Sequence, residues 1–360
     1  MKTQSKLTLR FAALAGIVAL GLAGCTSASS TSEPEPVTPA PAEEQADEPM
    51  EITDVNVRLD WLFQGPNAGF VVAQELGYYE EVGINATINP GQGGATTIQA
   101  IGNGSEDFGY ADSYVAAQNR AQGVPVKVVA SIIQNNPVAV VALGDSGIAT
   151  AADLAGKSVG FPTGSVAAQQ WSAFLAGCGV AESDVTAVSV QPQNLIQSLL
   201  AGSLDAVAGF SYGFIPVLEA NGQADPVALP FPGCGMNQLS NGIVVNDSLL
   251  ESNPDLVKRF VEATTRGFLY MFENPEEAAD IVLKYAPESN PAVTIREIEE
   301  AAKLITRDGN AGQSLGWMSE ESQQQTVDNA IEFGEADASL TPADVFTNDF
   351  VPQGAEYQLK

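Results

Sequence analysis

The 360-residue chain contains no histidine, so neither a Ser-His-Asp nor a Cys-His relay can be assembled from it. Cysteine is nearly as scarce. Of three, Cys25 stands near the N-terminus, and only Cys178 and Cys234 fall in the part expected to fold. Basic residues number 15 against 44 acidic ones, and a formal charge of −29 repels nucleic acid and anionic lipid. No apolar run after residue 25 is long enough to span a bilayer, and no solenoid-type repeat is visible. No lysine follows the glycines of Gly91-Gln92-Gly93-Gly94, which excludes a P-loop. The many acids leave glycoside hydrolysis or a metal site formally open, but no spacing singles out a carboxylate pair or a ligand set. No catalytic residue, metal or cofactor is therefore assigned.

What is present begins with an address. Lys2, Lys6 and Arg10 precede an apolar run from Phe11 to Ala23, the pattern of a secretory leader. It ends in Leu22-Ala23-Gly24-Cys25, which resembles the bacterial lipobox. That resemblance implies a signal peptide over residues 1–24 and a lipidated Cys25, so that the mature protein is exported and held on the outer face of the cytoplasmic membrane, at the cell surface or in the periplasm, by lipid alone. Losing residues 1–24 removes those three basic residues and no acidic one. Residues 25–51 are Ser, Thr, Pro, Ala and acid with almost nothing to bury, the composition of a disordered tether. In an oxidising compartment Cys178 and Cys234 are expected to bridge, with two buried free thiols as the alternative.

From residue 55 short β-rich runs alternate with helical stretches: VNVRLDWL, PNAGFVVAQELGYYEEVG, NATINP, ATTIQAIGN, DFGYAD, SYVAAQNRAQG, VKVVASII. This is α/β winding around a mostly parallel sheet. A second series begins after Gly144 with SVGFP, a helix from about Val166 to Ala176, DVTAVSV, NLIQSLLAG, DAVAGF, a helix near Ile215 to Ala220, and PVALPF. Two lobes follow, each a wound β/α sheet: the first over 52–144 and again from 242, the second inserted at 145–241. Two crossings suggest a hinge. From Pro254 onward the text is helical, and these C-terminal helices, to residue 360, are expected to pack on the first lobe.

Ligands of open wound sheets bind at the carboxyl ends of the strands, where loops and helix N-termini gather. The first strand ends in Asp60, Trp61, Phe63, Gln64 and Asn67, with Pro66 suited to the first turn of a helix running through Val71 to Tyr79. The second leads to Gly94 and Thr96 at a helix start. The third ends in Tyr110, Asp112, Ser113 and Tyr114, where Asp112 also suits a helix cap. The second lobe offers Phe161, Thr163, Gly164 and Ser165, then Tyr212, and the return strand opens at Asn241. Trp61, Tyr110, Tyr114, Phe161 and Tyr212 are expected to give stacking surface. Asp60, Asn67, Thr96, Ser113, Thr163 and Ser165 are expected to give hydrogen bonds. Strand ends that share aromatic, small and hydroxyl residues suit one apolar pocket with a few convergent polar groups.

The stretches LDWLFQGPNAGFVVAQELGYYEEVGI, GQGGATTIQAIGNGSEDFGYAD, SGIATAADLAGKSVGFPTGS and SNGIVVNDSLLESNPDLVKRFVEAT, over about residues 55–280, resemble the binding proteins of ABC importers for thiamine-pyrimidine precursors, alkanesulfonates and nitrate. The resemblance implies a two-lobed type II periplasmic-binding-protein fold, a ligand trapped between lobes, and a membrane permease as partner. Asp60, Trp61, Ala68 and Gly69 match the D-W-x-P-N-x-x-H-A-G pattern of the pyrimidine branch. Phe63-Gln64 replaces its Pro-Asn, Asn67 replaces its His, and Ile215 stands before Pro216 where that branch tends to carry Glu. The related fungal pyrimidine synthase matches less well: its His position holds Asn67, and Phe231-Pro232-Gly233-Cys234-Gly235 has one cysteine.

The expected function is that of a monomeric extracytoplasmic solute-binding protein, not an enzyme. With acids and no Lys or Arg at the strand ends, the expected ligand is a small neutral or cationic aromatic or nitrogen heterocycle, with a sulfonate, nitrate or other small anion as the alternative. A secreted enzyme working through acids alone and a scaffolding lipoprotein are the readings of other classes.

Overall fold

The computed structural model describes residues 52–358 other than 164, 308 and 335; the leader, nearly all of the tether, Cys25 and Gly164 lie outside the described residues. Among those described, β-branched runs form two five-stranded sheets. The first holds β1 (Thr53–Arg58), β2 (Ile84–Asn89), β3 (Phe108–Asp112), β4 (Val126–Ser131) and β10 (Asn241–Asn246) in the order β2-β1-β3-β10-β4. The second holds β5 (Val138–Ala142), β6 (Ser158–Pro162), β7 (Thr186–Val190), β8 (Ala206–Phe210) and β9 (Val227–Pro230) in the order β7-β6-β8-β5-β9. β1 runs parallel to β2 and β3, and β6 parallel to β7 and β8. In each sheet the fourth strand alone is antiparallel to its neighbours, β10 in the first and β5 in the second. That place is filled by the strand arriving from the other sheet, so both sheets share one topology.

The first crossing comes earlier than residue 144. Val138–Ala142 pairs with β8 and β9, so the chain has already changed sheets between Ser131 and Val138. Val138, Val140 and Ala142 face one apolar layer and Ala139 and Val141 the other. A strand buried on both faces carries no mark of which sheet it joins. The return crossing runs from β9 through the turn Phe231–Cys234 to Ser240.

Two helices expected as single units are divided. The helix after Pro66 spans Ala68–Glu75 and stops because Gly77 takes φ 77°, after which Tyr78–Glu81 forms a separate turn of helix. The stretch 166–176 is two helices, Val166–Gln169 and Trp171–Gly177, parted at the buried Gln170.

Each sheet lies between two apolar layers. The first is covered on one side by Phe70, Tyr79, Phe108, Phe260 and Phe268, and on the other by Ile98, Ile101, Tyr114, Val115 and Val327. Helix Pro254–Glu273 builds the first of these, its Leu256, Val257, Phe260, Val261, Thr264, Phe268 and Met271 recurring at helical spacing. It crosses helix Ala68–Glu75 where Gly267 leaves room: a Cβ there would stand 2.2 Å from the Gly69 carbonyl oxygen. This crossing fixes the helix that follows the Asp60 loop.

Cys178, just after helix Trp171–Gly177, and Cys234 form a disulfide, with Cα atoms 5.0 Å apart across a sequence separation of 56. Closing a loop of that length withdraws chain entropy from the unfolded state and stabilises by about 2–4 kcal/mol. Reduction, or Cys178→Ser with Cys234→Ser, is therefore expected to lower the melting temperature by several degrees in calorimetry. An unchanged transition with both thiols confirmed free by mass would contradict this.

Candidate functional site

The carboxyl end of β1 continues into a loop held by backbone contacts to the loop after β2. The Trp61 carbonyl accepts from Gly91 N at 2.9 Å and the Asp60 carbonyl from Gly93 N at 2.7 Å. A Cβ on Gly91 would lie 1.8 Å from the Leu59 oxygen, so only glycine allows this approach. Asn67 is 2% exposed and is consumed inside the turn, accepting from Gln64 N at 3.1 Å and donating to Leu62 O at 2.9 Å. The Gln64 side chain caps the same turn. Phe63 packs on Tyr285 of helix Pro275–Tyr285, ring centroids 5.2 Å apart, and Trp61 stays half-buried.

Asp60 belongs to a hydrogen-bonded chain across the ends of β1, β10 and β3. Asn241 Nδ2 donates to Asp60 Oδ2 at 2.6 Å, and Ser240 Oγ lies 3.2 Å from Asn241 Oδ1. Ser240 Oγ donates to Asp112 Oδ2 at 2.7 Å, and Ser113 Oγ donates to the Ser240 carbonyl at 2.6 Å. The other oxygen of Asp112 caps helix Ser113–Ala121, accepting from Tyr114 N at 2.9 Å and Val115 N at 3.3 Å. Asp112 thus both caps the helix and joins the network.

Tyr212 comes to this network from the second sheet. It opens helix Ser211–Ala220, which starts on a bond from Ser211 N to Pro137 O at 2.9 Å, and its ring is 3% exposed within the apolar layer of the first sheet. Its hydroxyl is pushed well above the usual tyrosine range, first by burial and then by the charges of Asp60, Tyr110, Asp112 and Glu297. Burial likewise raises Asp60 to about 6, opposed by the Asn241 bond and reinforced by Asp112. Asp112 also rises to about 6 through burial, opposed by Ser240 and the helix N–H groups. No Lys or Arg figures among these influences.

Other aromatic candidates have packing roles rather than open faces. Tyr110 meets Phe70 edge-on at 5.2 Å and Phe268 at 5.7 Å, with its hydroxyl 3.5 Å from the Pro66 carbonyl. Tyr114 lies in the opposite apolar layer of that sheet, and Phe161 packs against Trp171 at 4.9 Å in the second lobe. The cause is strand and helix phase, which turns these rings inward. Thr96 caps back to Gly93 O at 2.7 Å just after Gly94, Thr163 pairs with Ser189 Oγ at 3.0 Å, and Ser165 caps Ala168 N at 3.3 Å. Beside these helix starts, Ala95 and Gln118 of the first lobe and Gln169 of the second line one open cleft of about 440 Å³.

Sequence reasoning missed Glu297. It is 8% exposed on helix Pro291–Ala302, accepts from Gly65 N at 2.9 Å, and is raised to about 7 by burial, opposed by that bond. A signal existed, since the buried stripe of this helix reads Thr294, Glu297, Ile298, Ala301, which places one acid on an apolar face. Gln170, Trp171 and Gln238 are also buried, each with a nitrogen donor that meets no partner among the described residues. Among the described residues no cluster of metal-ligating side chains occurs.

The model of the NMT1/THI5-like family matches residues 65–278, more than half of the chain. The riboflavin-binding protein RibY of Chloroflexus aurantiacus is 26% identical over 349 residues, 94% of this chain and 98% of that protein. A Legionella pneumophila protein named 4-amino-5-hydroxymethyl-2-methylpyrimidine phosphate synthase is 25% identical over 236 residues, 65% of this chain and 74% of that protein. The relatives are mostly named as binding proteins. The alkanesulfonate-binding protein SsuA from Xanthomonas axonopodis, bound to MOPS, matches with a TM-score of 0.62 at 18% identity, over 82% of this chain and 99% of that one. The fold is that of the two-lobed type II periplasmic binding proteins.

The raised acids give a signed pH dependence. Asp60, Asp112 and Glu297 ionise less readily folded than unfolded, so the folded state holds extra protons from about pH 4 to about pH 7. Their stabilising contribution is full at the acid end and is lost as pH rises through about 6–7. Glu297→Gln removes one such group while keeping an acceptor for Gly65. In the ligand-free protein its stability relative to the parent is expected to increase from about pH 5 to about pH 8. A pH-independent difference in calorimetry would contradict this.

Proposed function

The chain belongs to the NMT1/THI5-like family, and from that premise we propose that it is an exported, lipid-anchored solute-binding protein that closes two lobes on a small molecule and delivers it to an ABC importer. The single observation that carries this reading is the burial of Tyr212, from a second-lobe helix, within the apolar layer of the first sheet, where the charges of Asp60, Asp112 and Glu297 act on its hydroxyl. A side chain contributed by one lobe and buried against the other is what an enclosing interlobe site requires.

The ligand we favour is a neutral or cationic nitrogen heterocycle. Asp60 and Asp112 accept hydrogen bonds, and the unpartnered nitrogens of Gln170, Trp171 and Gln238 are donors for carbonyl or ring-nitrogen atoms. An anion is disfavoured, since it would meet buried carboxyls with no basic side chain among their influences. The protein acts by binding and not by turnover: without histidine, a proton relay must come from acids whose described partners are structural. Attachment through Cys25, a monomeric state and ligand contact at the strand-end positions named above, other than Asn67, Tyr110, Tyr114 and Phe161, belong to the same proposal.

Denaturing the purified protein and identifying any released small molecule tests the reading directly. That molecule is expected to rebind saturably without being altered, and Tyr212→Ala and Asp60→Asn are each expected to weaken it by about tenfold or more, corresponding to the loss of one buried contact. Conversion of the molecule would point to an enzyme. Unchanged affinity in both variants would remove the interlobe site from the account.

A further inference from the structure

The two crossings between the sheets are held from both sides, and the bonds locate the pivot. On the first crossing, Gln134 Nε2 donates to the Trp317 carbonyl at 3.1 Å and Asn135 N to the Leu304 carbonyl at 3.1 Å, both acceptors on segments packed against the first lobe. The next residue belongs to the other side: Asn136 Nδ2 donates to Gln170 Oε1 of the second lobe at 3.2 Å and to the Met236 carbonyl at 2.9 Å. On the return crossing Met236 is buried in the second lobe's apolar layer, while Gln238 Oε1 accepts from Asn329 Nδ2 at 2.9 Å and Leu239 N donates to Thr326 Oγ1 at 3.0 Å. The chain thus passes from one lobe to the other at Asn135–Asn136 and passes back at Met236–Gln238. Links this short let the sheets turn but do not set the angle between them, which depends on contacts made away from the pivot.

We propose that the C-terminal helix Glu320–Phe333 is a strap across this pivot and that Phe333 is its latch, holding the two lobes at the angle seen here. The helix has 14 residues and is about 20 Å long. Its Val327 and Ala330 are buried with Tyr114 and Val115 in the outer layer of the first sheet, and Ile331 packs on the same layer. Thr326 and Asn329 of this helix are the residues that hold the return crossing. Phe333, its last residue, packs instead against the second-lobe layer that contains Phe161, Trp171 and Phe231. Val166 makes the reciprocal reach: it opens the second-lobe helix Val166–Gln169 and packs on the layers of both lobes. Gln118 Nε2 of the first lobe donates to the Gly334 carbonyl at 3.3 Å and so fixes the chain just beyond Phe333.

The latch is built to give way. Phe333 and Val166 are only half-buried, and the cleft of about 440 Å³ lies at Phe333 itself, between Gln118 and Gln169. An apolar contact left partly in water contributes less than a fully buried one, so the lobes are biased toward this angle without being locked. A guest that binds only the closed arrangement has its affinity scaled by the closed fraction, which makes the latch a setting for affinity that touches no guest. The inference therefore holds for whatever molecule the lobes enclose.

Double electron–electron resonance between spin labels on Lys258→Cys of the first lobe and Ser172→Cys of the second, both exposed, reads the angle. The protein carries Cys25→Ser, so that the Cys178–Cys234 disulfide leaves no other thiol, and is freed of small molecules by unfolding and refolding with that disulfide intact. Phe333→Ala and, from the other lobe, Val166→Ala are expected to broaden the distance distribution and shift its mean by several ångströms. Phe333→Leu, which keeps an apolar side chain, is expected to retain most of the parent distribution. Ile331→Ala removes a side chain of the same helix that packs on the first lobe alone; it is expected to lower the melting temperature and leave the distances unchanged. Calorimetric melts confirm that each variant is folded. An unchanged distribution in folded Phe333→Ala and Val166→Ala, or an equal change in Ile331→Ala, overturns the proposal.

Discussion

A carboxyl group removed from water must be matched by hydrogen bonds or opposite charge, and at the ends of β1 and β3 only hydrogen bonds are supplied. Asn241 serves Asp60; Ser240 and two helix N–H groups serve Asp112. Both side-chain partners lie where the return crossing enters β10. The acids are thereby tied to the stretch of chain that joins the lobes.

The packing around this network leaves little slack on the first-lobe side. The loop after β1 is pinned by Gly91 and Gly93, its turn is closed by Asn67, and the following helix is clasped through Gly69 and Gly267 against Pro254–Glu273. The second lobe reaches the network through one helix, which carries Tyr212 at its start and Glu219 toward its end. A rigid acidic wall and a single incoming helix form a simple mechanical arrangement for enclosing a guest.

Much of this was legible in the sequence. Period-two strands and helical runs mark two wound sheets, and the rule that ligands gather at carboxyl strand ends leads to Asp60, Asp112, Ser113, Tyr212 and Asn241. The remainder depended on facts the chain does not print locally. Tyr110, Tyr114 and Phe161 stand at the right strand ends, yet the phase of their elements turns them into the core. Val138–Ala142 is apolar on both faces, so its change of sheet had no local mark. Glu297 lies 232 residues from its partner Gly65, and only the packing of a C-terminal helix on that turn brings the two together.

The claim on which the account turns is that Tyr212 of the second lobe shares an enclosed space with first-lobe acids. The direct measurement is fluorine NMR of the folded, ligand-free protein carrying 3-fluorotyrosine at position 212 alone. The account predicts a resonance insensitive to added paramagnetic solvent probe, which moves as pH passes through about 6–7 and loses part of that movement in Asp60→Asn. A resonance broadened by the probe and indifferent to both pH and Asp60 would contradict it.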